Sequence, residues 1–156
     1  MTKVKIVTDS TARLTPEEVA AYDIAVVPLT VMIDGVVYHD GVSITPSEFI
    51  EKMAEAKALP TTSQPSLGAF TEVYETMPED VEILSLHLTN KLSGTVQAAE
   101  QASRMVPHDV VVRDSNYIDR ALAMQVLVAG RMADAGATRD EILAELQRVE
   151  DNTELY

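Results

Sequence analysis

The sequence predicts an α/β domain with three layers, in which helices cover both faces of a mostly parallel sheet. Continuous apolar runs of strand length recur along the chain, at residues 4–7, 83–88 and 110–112 among others. The segments between them carry apolar residues at helical spacing, and several begin with threonine followed three residues later by glutamate. Strands that alternate with helices are typical of βα units, whose ligand crevice lies at the carboxyl ends of the strands.

Turn and cap residues divide the chain into short elements. Capping boxes at Thr15, Thr45 and Thr138 predict three helix starts. Pro28 interrupts the second apolar run and favours an edge position or a break, and Asp34-Gly35 predicts a hairpin turn. In chain order, the predicted strands are 4–7, 24–33, 36–40, 83–88 and 110–112, and the predicted helices begin at Thr15, Thr45, Ser66, Ser93, about Tyr117 and Thr138.

The composition limits the functions open to this chain. Its 156 residues, of which 46% are hydrophobic, suffice for one domain over residues 1–156. A net charge of -13 repels phosphates, so we expect no nucleic-acid partner. The absence of cysteine excludes disulfides, thiolate metal sites and thiol nucleophiles. With no apolar run long enough for a signal peptide or a membrane span, we expect a cytoplasmic protein.

The sequence offers no motif for catalysis or for metal binding. No His-x-x-x-His spacing, acidic metal loop or glycine-rich phosphate loop occurs. Ser93 lacks the flanking glycines of a nucleophile elbow, since Lys91 precedes it and Thr95 follows. His87 lies in a predicted strand, on the face of Ser85, and is interpreted as a buried structural histidine. We therefore expect no catalytic residue, no metal and no cofactor.

Two predicted helix starts lack the acid that the other capped starts carry. The helices predicted at Ser66 and Ser93 have Ala69 and Val96 where a capping box has glutamate. Their N–H groups are left for water or for an anionic ligand, although ordinary serine caps explain the same residues. After the central strand, residues 92–95 bring a hydroxyl, a glycine and free N–H groups to one point, an arrangement that suits an anion.

Three short motifs occur in the order Asp9-Ser10-Thr11-Ala12, Thr62-Ser63-Gln64-Pro65-Ser66 and Leu92-Ser93-Gly94-Thr95. Together they resemble the DegV family of bacterial fatty-acid-binding proteins. The resemblance implies an acyl chain in an apolar tunnel and a carboxylate held by the hydroxyls of Thr62 and Ser93. Ser63, Gly94 and Thr95 are expected beside them. It also implies that the bound fatty acid is transported or presented to a fatty acid kinase, with no chemistry performed by this chain.

The sequence departs from the family pattern in two places. Family members usually have nearly twice this length, with a second α/β domain that closes the tunnel and supplies a basic residue. We therefore expect this chain to represent the first domain only, with the second domain absent. After Asp114-Ser115 the family usually has a Ser- and Gly-rich helix start, whereas this chain has Asn-Tyr-Ile-Asp-Arg at residues 116–120.

Two other functions stay open at this point. Free N–H groups also accept phosphate, so the Ser93 loop suits the anion site of an enzyme for phosphoryl transfer or ester hydrolysis. The chain also fits an interaction domain with a vestigial site, which pairs with a second copy through the face that the family's second domain covers.

Overall fold

The computed structural model of the chain describes residues 3–154. Seven strands and six α-helices lie in this range, and a 3₁₀ turn at Ser10–Ala12 follows the first strand. In chain order the elements are β1 (Val4–Asp9), α1 (Pro16–Ala21), β2 (Ala25–Val27), β3 (Thr30–Ile33), β4 (Val36–His39), α2 (Pro46–Glu55), β5 (Thr61–Ser63), α3 (Leu67–Glu75), β6 (Glu82–His87), α4 (Thr95–Ser103), β7 (Asp109–Asp114), α5 (Asp119–Asp134) and α6 (Arg139–Asp151).

The main sheet is parallel throughout and has the strand order β2-β1-β6-β7. Helices α3 and α4 pack on one face, where Phe70, Tyr74 and Ala99 share a core with Ile83. Helices α5 and α6 pack on the other face, in a core that joins the following residues: Leu122, Val126, Ile142, Leu146, Leu84 and Leu86. The predicted three-layer α/β/α class is therefore confirmed.

The central strand β6 is buried on both faces, which explains its continuous apolar sequence. Successive side chains of a strand alternate between the faces of the sheet. Leu84 and Leu86 accordingly face α5 and α6, while Ile83 faces α3 and α4. Ser85 and His87 fall on the same face as Ile83 and are also fully buried. The two polar residues must therefore find hydrogen-bond partners inside the protein.

The strand order places a crevice between β1 and β6. The chain leaves β1 through α1, and Leu14 and Tyr22 on either side of α1 pack in the core of α5 and α6. It leaves β6 through α4, which packs on the opposite face. Connections that leave neighbouring parallel strands toward opposite faces open a crevice at their carboxyl ends, where α/β proteins bind ligands.

A second, antiparallel sheet has the order β4-β3-β5. Its hairpin turn is the predicted Asp34-Gly35, and both residues have positive φ, at 48° and 81°, as a two-residue turn requires. The predicted break at Pro28 separates β2 in the main sheet from β3 in this small sheet. The sequence, whose hydroxyl-rich residues 59–66 have no apolar pattern, predicts a loop at 61–63, and this prediction is wrong. Those three residues are exposed and form β5, which is held by its pairing with β3.

The capping boxes at Thr15, Thr45 and Thr138 are confirmed, each with both reciprocal hydrogen bonds. The N-cap of α4 is one residue later than the predicted Ser93, at Gly94, and α5 begins at Asp119, two residues after the predicted Tyr117. Within residues 3–154, no helix combines the length and hydrophobicity that a membrane crossing needs.

Candidate functional site

A cavity of about 590 Å³ lies at the carboxyl ends of β1 and β6. We call it the strand-end cavity. Most of its lining residues are apolar, and the polar ones are mainly hydroxyl-bearing. The lining residues are Thr11, Arg13, Leu29, Val31, Asp40, Pro46, Phe49, Ile50, Thr62, Ser63, Gln64, Leu88, Leu92, Ser93 and Ile118. Such a lining suits a ligand with an apolar body and a small polar group.

The strand-end cavity brings together the two residues predicted to hold a carboxylate. Thr62 lies in β5, opposite Val31 of β3, and Ser93 lies between β6 and α4. Both residues line the cavity, although one comes from the small sheet and the other from the loop that follows β6 of the main sheet. Ser63 lines it as well, whereas Gly94 and Thr95 lie behind Ser93 at the start of α4. The expected site residues are thus adjacent in the fold.

The start of α4 is left without an acid and without a side-chain cap. Its N-cap residue is Gly94, not Ser93 as predicted, and no acidic residue lies in its first turn. The Ser93 hydroxyl instead accepts from the Thr95 N–H at 3.3 Å and pairs with the Thr95 hydroxyl at 2.8 Å. The partial positive charge of this helix end is therefore not neutralised by a nearby carboxylate of its own first turn.

The start of α3 is different. The Ser66 hydroxyl accepts from the Ala69 N–H at 3.1 Å, which is an ordinary serine cap. Of the two helix starts that the sequence indicates as possible anion sites, the one at Ser66 is therefore an ordinary serine cap. Of these two, only the α4 start reaches the wall of the strand-end cavity, through Ser93.

Gln64 packs directly against Gly94 and so connects the two sequence motifs. A Cβ atom at Gly94 would lie 2.3 Å from Oε1 of Gln64, far inside contact distance. Gly94 has an ordinary φ of -79°, so this close approach, rather than backbone conformation, is what favours glycine here. Gln64 also borders a second concavity of about 820 Å³ beside α3 and α4, which contains neither Thr62 nor Ser93.

The unusual segment 116–120 closes one side of the strand-end cavity with the apolar side chain of Ile118. The carbonyl oxygen of Tyr117 accepts from the Thr89 N–H at 2.9 Å, which ties the segment to the end of β6. Positive φ values at Asn116 and Asp119 delay the start of α5 to Asp119. This side of the site therefore differs from a Ser- and Gly-rich helix start.

Below the cavity, the carboxylate of Asp9 accepts four hydrogen bonds and is fully buried. Its Oδ1 accepts from the N–H and the hydroxyl of Thr11. Its Oδ2 accepts from Nδ1 of His87 at 3.0 Å and from the Leu88 N–H at 3.1 Å. Burial alone raises the pKa of Asp9, but the hydrogen bonds from His87, Thr11 and Leu88 outweigh it and bring the pKa below its ordinary value.

The hydrogen bonds continue from His87 to Ser85 and Tyr74. With Asp9 ionised, Nδ1 of His87 donates to it, and Nε2 of His87 forms a hydrogen bond of 2.6 Å with the Ser85 hydroxyl. Ser85 in turn accepts from the Tyr74 hydroxyl at 2.8 Å. Burial raises the pKa of Tyr74 to about 12, against the opposing effect of the Ser85 hydrogen bond, so Tyr74 stays protonated and donates.

Asp9, His87 and Ser85 have the order of contacts of a Ser-His-Asp triad, but their environment does not suit a nucleophile. All three residues are 0% exposed, and the Ser85 hydroxyl is bonded at both sides. A substrate carbonyl must reach a nucleophilic hydroxyl directly. The arrangement is therefore a satisfied structural network, as the sequence predicts for His87. In residues 3–154 no group of three or more His, Asp or Glu side chains is placed to hold a metal ion.

The sequence analysis missed two charged residues of the cavity wall, Arg13 and Asp40. They form an ion pair, with Nη1 of Arg13 3.0 Å from Oδ1 of Asp40. The pair joins the 3₁₀ turn after β1 to the loop after β4, and no local pattern links these two loops. The contribution of α2 through Phe49 and Ile50 was missed for the same reason.

These features define a class of protein. It is an α/β domain with a mainly apolar, hydroxyl-bearing cavity at the switch point of its sheet, which is the crevice between β1 and β6 where the chain leaves the two strands toward opposite faces. Comparison with known proteins gives the family. The DegV family model, described as uncharacterised proteins, matches residues 3–156, and the chain belongs to this family.

Individual relatives agree with this assignment. A DegV domain-containing protein of Listeria innocua is 52% identical over the whole chain, which spans 57% of that relative's length. A Thermus thermophilus DegV family protein, whose structure is described as showing fatty acid binding, is 41% identical with a TM-score of 0.88. The match covers 96% of this chain and 54% of that one. Bacillus subtilis DegV, described as a fatty acid binding protein, is 29% identical with a TM-score of 0.92, over 97% and 55% of the two chains.

We predict that Asp9→Asn lowers the free energy of unfolding by about 3 kcal/mol, because the new amide nitrogen faces two buried donors. The folded pKa of Asp9 is lowered, so its stabilising contribution is complete above about pH 4 and is lost as the pH falls through the folded pKa. Urea unfolding at a series of pH values should therefore show that acid lowers the free energy of unfolding less in the variant than in the unaltered chain. The control is Asp23→Asn, at an exposed carboxylate. Equal effects of the two substitutions would contradict the role of Asp9.

We predict that Gly94→Ala displaces the Gln64 side chain with little loss of stability, below about 1 kcal/mol, because the end of a flexible side chain can move. The NMR signals of the Gln64 side-chain amide should shift. Gly68→Ala is the matched control, since its Cβ would lie 3.9 Å from Oγ of Ser66, which is an ordinary van der Waals distance. An unchanged Gln64 signal in Gly94→Ala would contradict the packing.

Proposed function

We propose that this chain binds a long-chain fatty acid in the strand-end cavity and holds its carboxylate with Thr62 and Ser93. The observation that carries the proposal is the meeting of these two residues in one mainly apolar cavity at the switch point of the sheet. The fatty acid binding described for the Thermus thermophilus and Bacillus subtilis proteins supports it.

The chemistry of the site suits a carboxylate. The hydroxyls of Thr62 and Ser93 are donors for its two oxygens, and hydrogen bonds to an ionised acceptor are stronger than neutral ones. The start of α4 adds favourable charge, because Gly94 carries no side-chain cap and the first turn no acid. Ser63 and Thr95 support the two main residues from neighbouring positions.

The acyl chain would lie against the apolar part of the lining. Val31 of the small sheet, Phe49 of α2 and Leu88 after β6 belong to this part. Burying apolar surface contributes roughly 25 cal/mol per Å², so a long chain can supply most of the binding free energy. The carboxylate contacts then fix its orientation.

We further propose that the chain carries or presents its ligand and does not transform it. The full burial of Ser85 and His87 favours this over ester hydrolysis by those residues. A fatty acid kinase as the receiving partner, a cytoplasmic location and a homodimer stay predictions of the sequence. Since the chain spans about half the length of its relatives, the activity of the whole protein is part of the same proposal.

Affinity measurements on single variants test the proposal. We predict that Thr62→Val and Ser93→Ala each weaken palmitate binding about tenfold, because each removes a hydrogen bond to a charged group. Titration calorimetry or displacement of a fluorescent fatty acid measures the affinities. Mass spectrometry of a solvent extract identifies any acyl chain bound during expression.

The matched control is Thr61→Val. Thr61 is the neighbour of Thr62 in β5, lies opposite Met32 and is outside the cavity lining, so its substitution should leave binding unchanged. Absence of fatty acid binding by the unaltered chain, or equal weakening by Thr61→Val and Thr62→Val, would overturn the proposal.

A further inference from the structure

Among the described residues, those that line the strand-end cavity include one cation and one anion, Arg13 and Asp40. Nη1 of Arg13 donates to both carboxylate oxygens of Asp40, each at 3.0 Å. Both hydrogen bonds thus come from one of the three guanidinium nitrogens. The Arg13 side chain is 49% exposed, while that of Asp40 is 14% exposed. A half-exposed guanidinium engaged through a single nitrogen has donors left for a second anion.

Arg13 also stands out by its backbone conformation. It has a positive φ of 54°, a region that side chains rarely adopt. The other non-glycine residues of 3–154 in this region are Asp23, Asp34, Asn116 and Asp119. Asp and Asn tolerate this conformation through local hydrogen bonds of their short side chains, which arginine cannot form. A residue held in an unfavourable conformation is a reason to look for a function.

The backbone of Arg13 is fixed on both sides. Its N–H donates to the carbonyl oxygen of Ser10 at 3.2 Å, which closes the 3₁₀ turn. Its carbonyl oxygen accepts from Nη1 of Arg120 at 3.1 Å, and Arg120 is itself held by a two-pronged ion pair with Glu18. The main chain therefore has a fixed position at the cavity wall, and the half-exposed side chain reaches from there to Asp40.

The charges of the cavity explain what such a residue can do. Hydroxyl groups such as those of Thr62 and Ser93 are neutral, and a carboxylate that leaves water needs a compensating charge. Asp40 repels it, and the chain as a whole carries a net charge of -13. Of the described residues that line the cavity, Arg13 is the one with a positively charged side chain.

We propose that Arg13 is a further ligand-binding residue, which shares its guanidinium between Asp40 and the carboxylate of the bound fatty acid, and that Asp40 is a competing anion that weakens binding. This inference rests on the proposed function. Arg13 then selects ionised fatty acids over uncharged lipids of the same chain length, and Asp40 sets the affinity by holding part of the guanidinium.

The test compares an acid with an alcohol of equal length, palmitate and hexadecanol, at neutral pH. Arg13→Gln should lower the acid-to-alcohol affinity ratio about tenfold. Asp40→Asn should raise the same ratio about threefold, because it removes a like charge and frees the guanidinium. The ratio cancels any change in the apolar part of the cavity, since both ligands fill it alike.

The two variants act in opposite directions, which separates binding from a purely structural ion pair. Each substitution breaks the Arg13–Asp40 ion pair. If this pair has only a structural role, the melting temperature changes in both variants, and their acid-to-alcohol affinity ratios either shift in the same direction or stay unchanged. That outcome would overturn the inference. If Arg13→Gln does not fold, an unchanged ratio in Asp40→Asn still overturns the role of Arg13, because releasing the guanidinium then has no effect on binding of the acid.

The unaltered chain keeps this test distinct from the proposed function. If it binds neither palmitate nor hexadecanol, the proposed function fails and the inference fails with it. If it prefers palmitate and the two variants keep that preference unchanged, fatty acid binding stands and only the role of Arg13 is rejected.

Discussion

The buried carboxylate of Asp9 connects the two strand ends on which the site is built. One oxygen binds Thr11 in the turn after β1, and the other binds His87 and Leu88 at the end of β6. Thr11 and Leu88 both line the strand-end cavity. A buried carboxylate is stable only while its donors stay in place, so these four hydrogen bonds fix the floor of the cavity as one unit.

The remaining parts of the site depend on this frame. The parallel sheet opens a crevice between β1 and β6, and the small sheet with α2 covers it. β5 and the residue after it bring Thr62 and Gln64 toward the loop of Ser93, where the missing side chain of Gly94 makes room for Gln64. The packing of these segments produces a mainly apolar cavity whose wall also carries hydroxyl groups, a helix start and Arg13. This combination suits an amphipathic anion.

The sequence predicts those features that local patterns encode. The capping box at Thr45 and the buried central strand predicted at residues 83–88 follow from neighbouring residues alone, and both are confirmed, the strand as β6. β5 was missed because its three exposed residues are held by pairing with β3 and not by their own pattern. The family motifs indicate Thr62 and Ser93 as a pair. Arg13 could not be found in this way, since its place in the cavity depends on a positive φ and on contacts with distant segments.

A crystal structure of the chain grown with a saturated long-chain fatty acid tests the central claim most directly. The account predicts density for the ligand in the strand-end cavity, with carboxylate oxygens about 2.5–3.0 Å from the hydroxyl oxygens of Thr62 and Ser93. A fatty acid bound in the concavity beside α3 and α4, or one in the strand-end cavity with its carboxylate away from both hydroxyls, would contradict it.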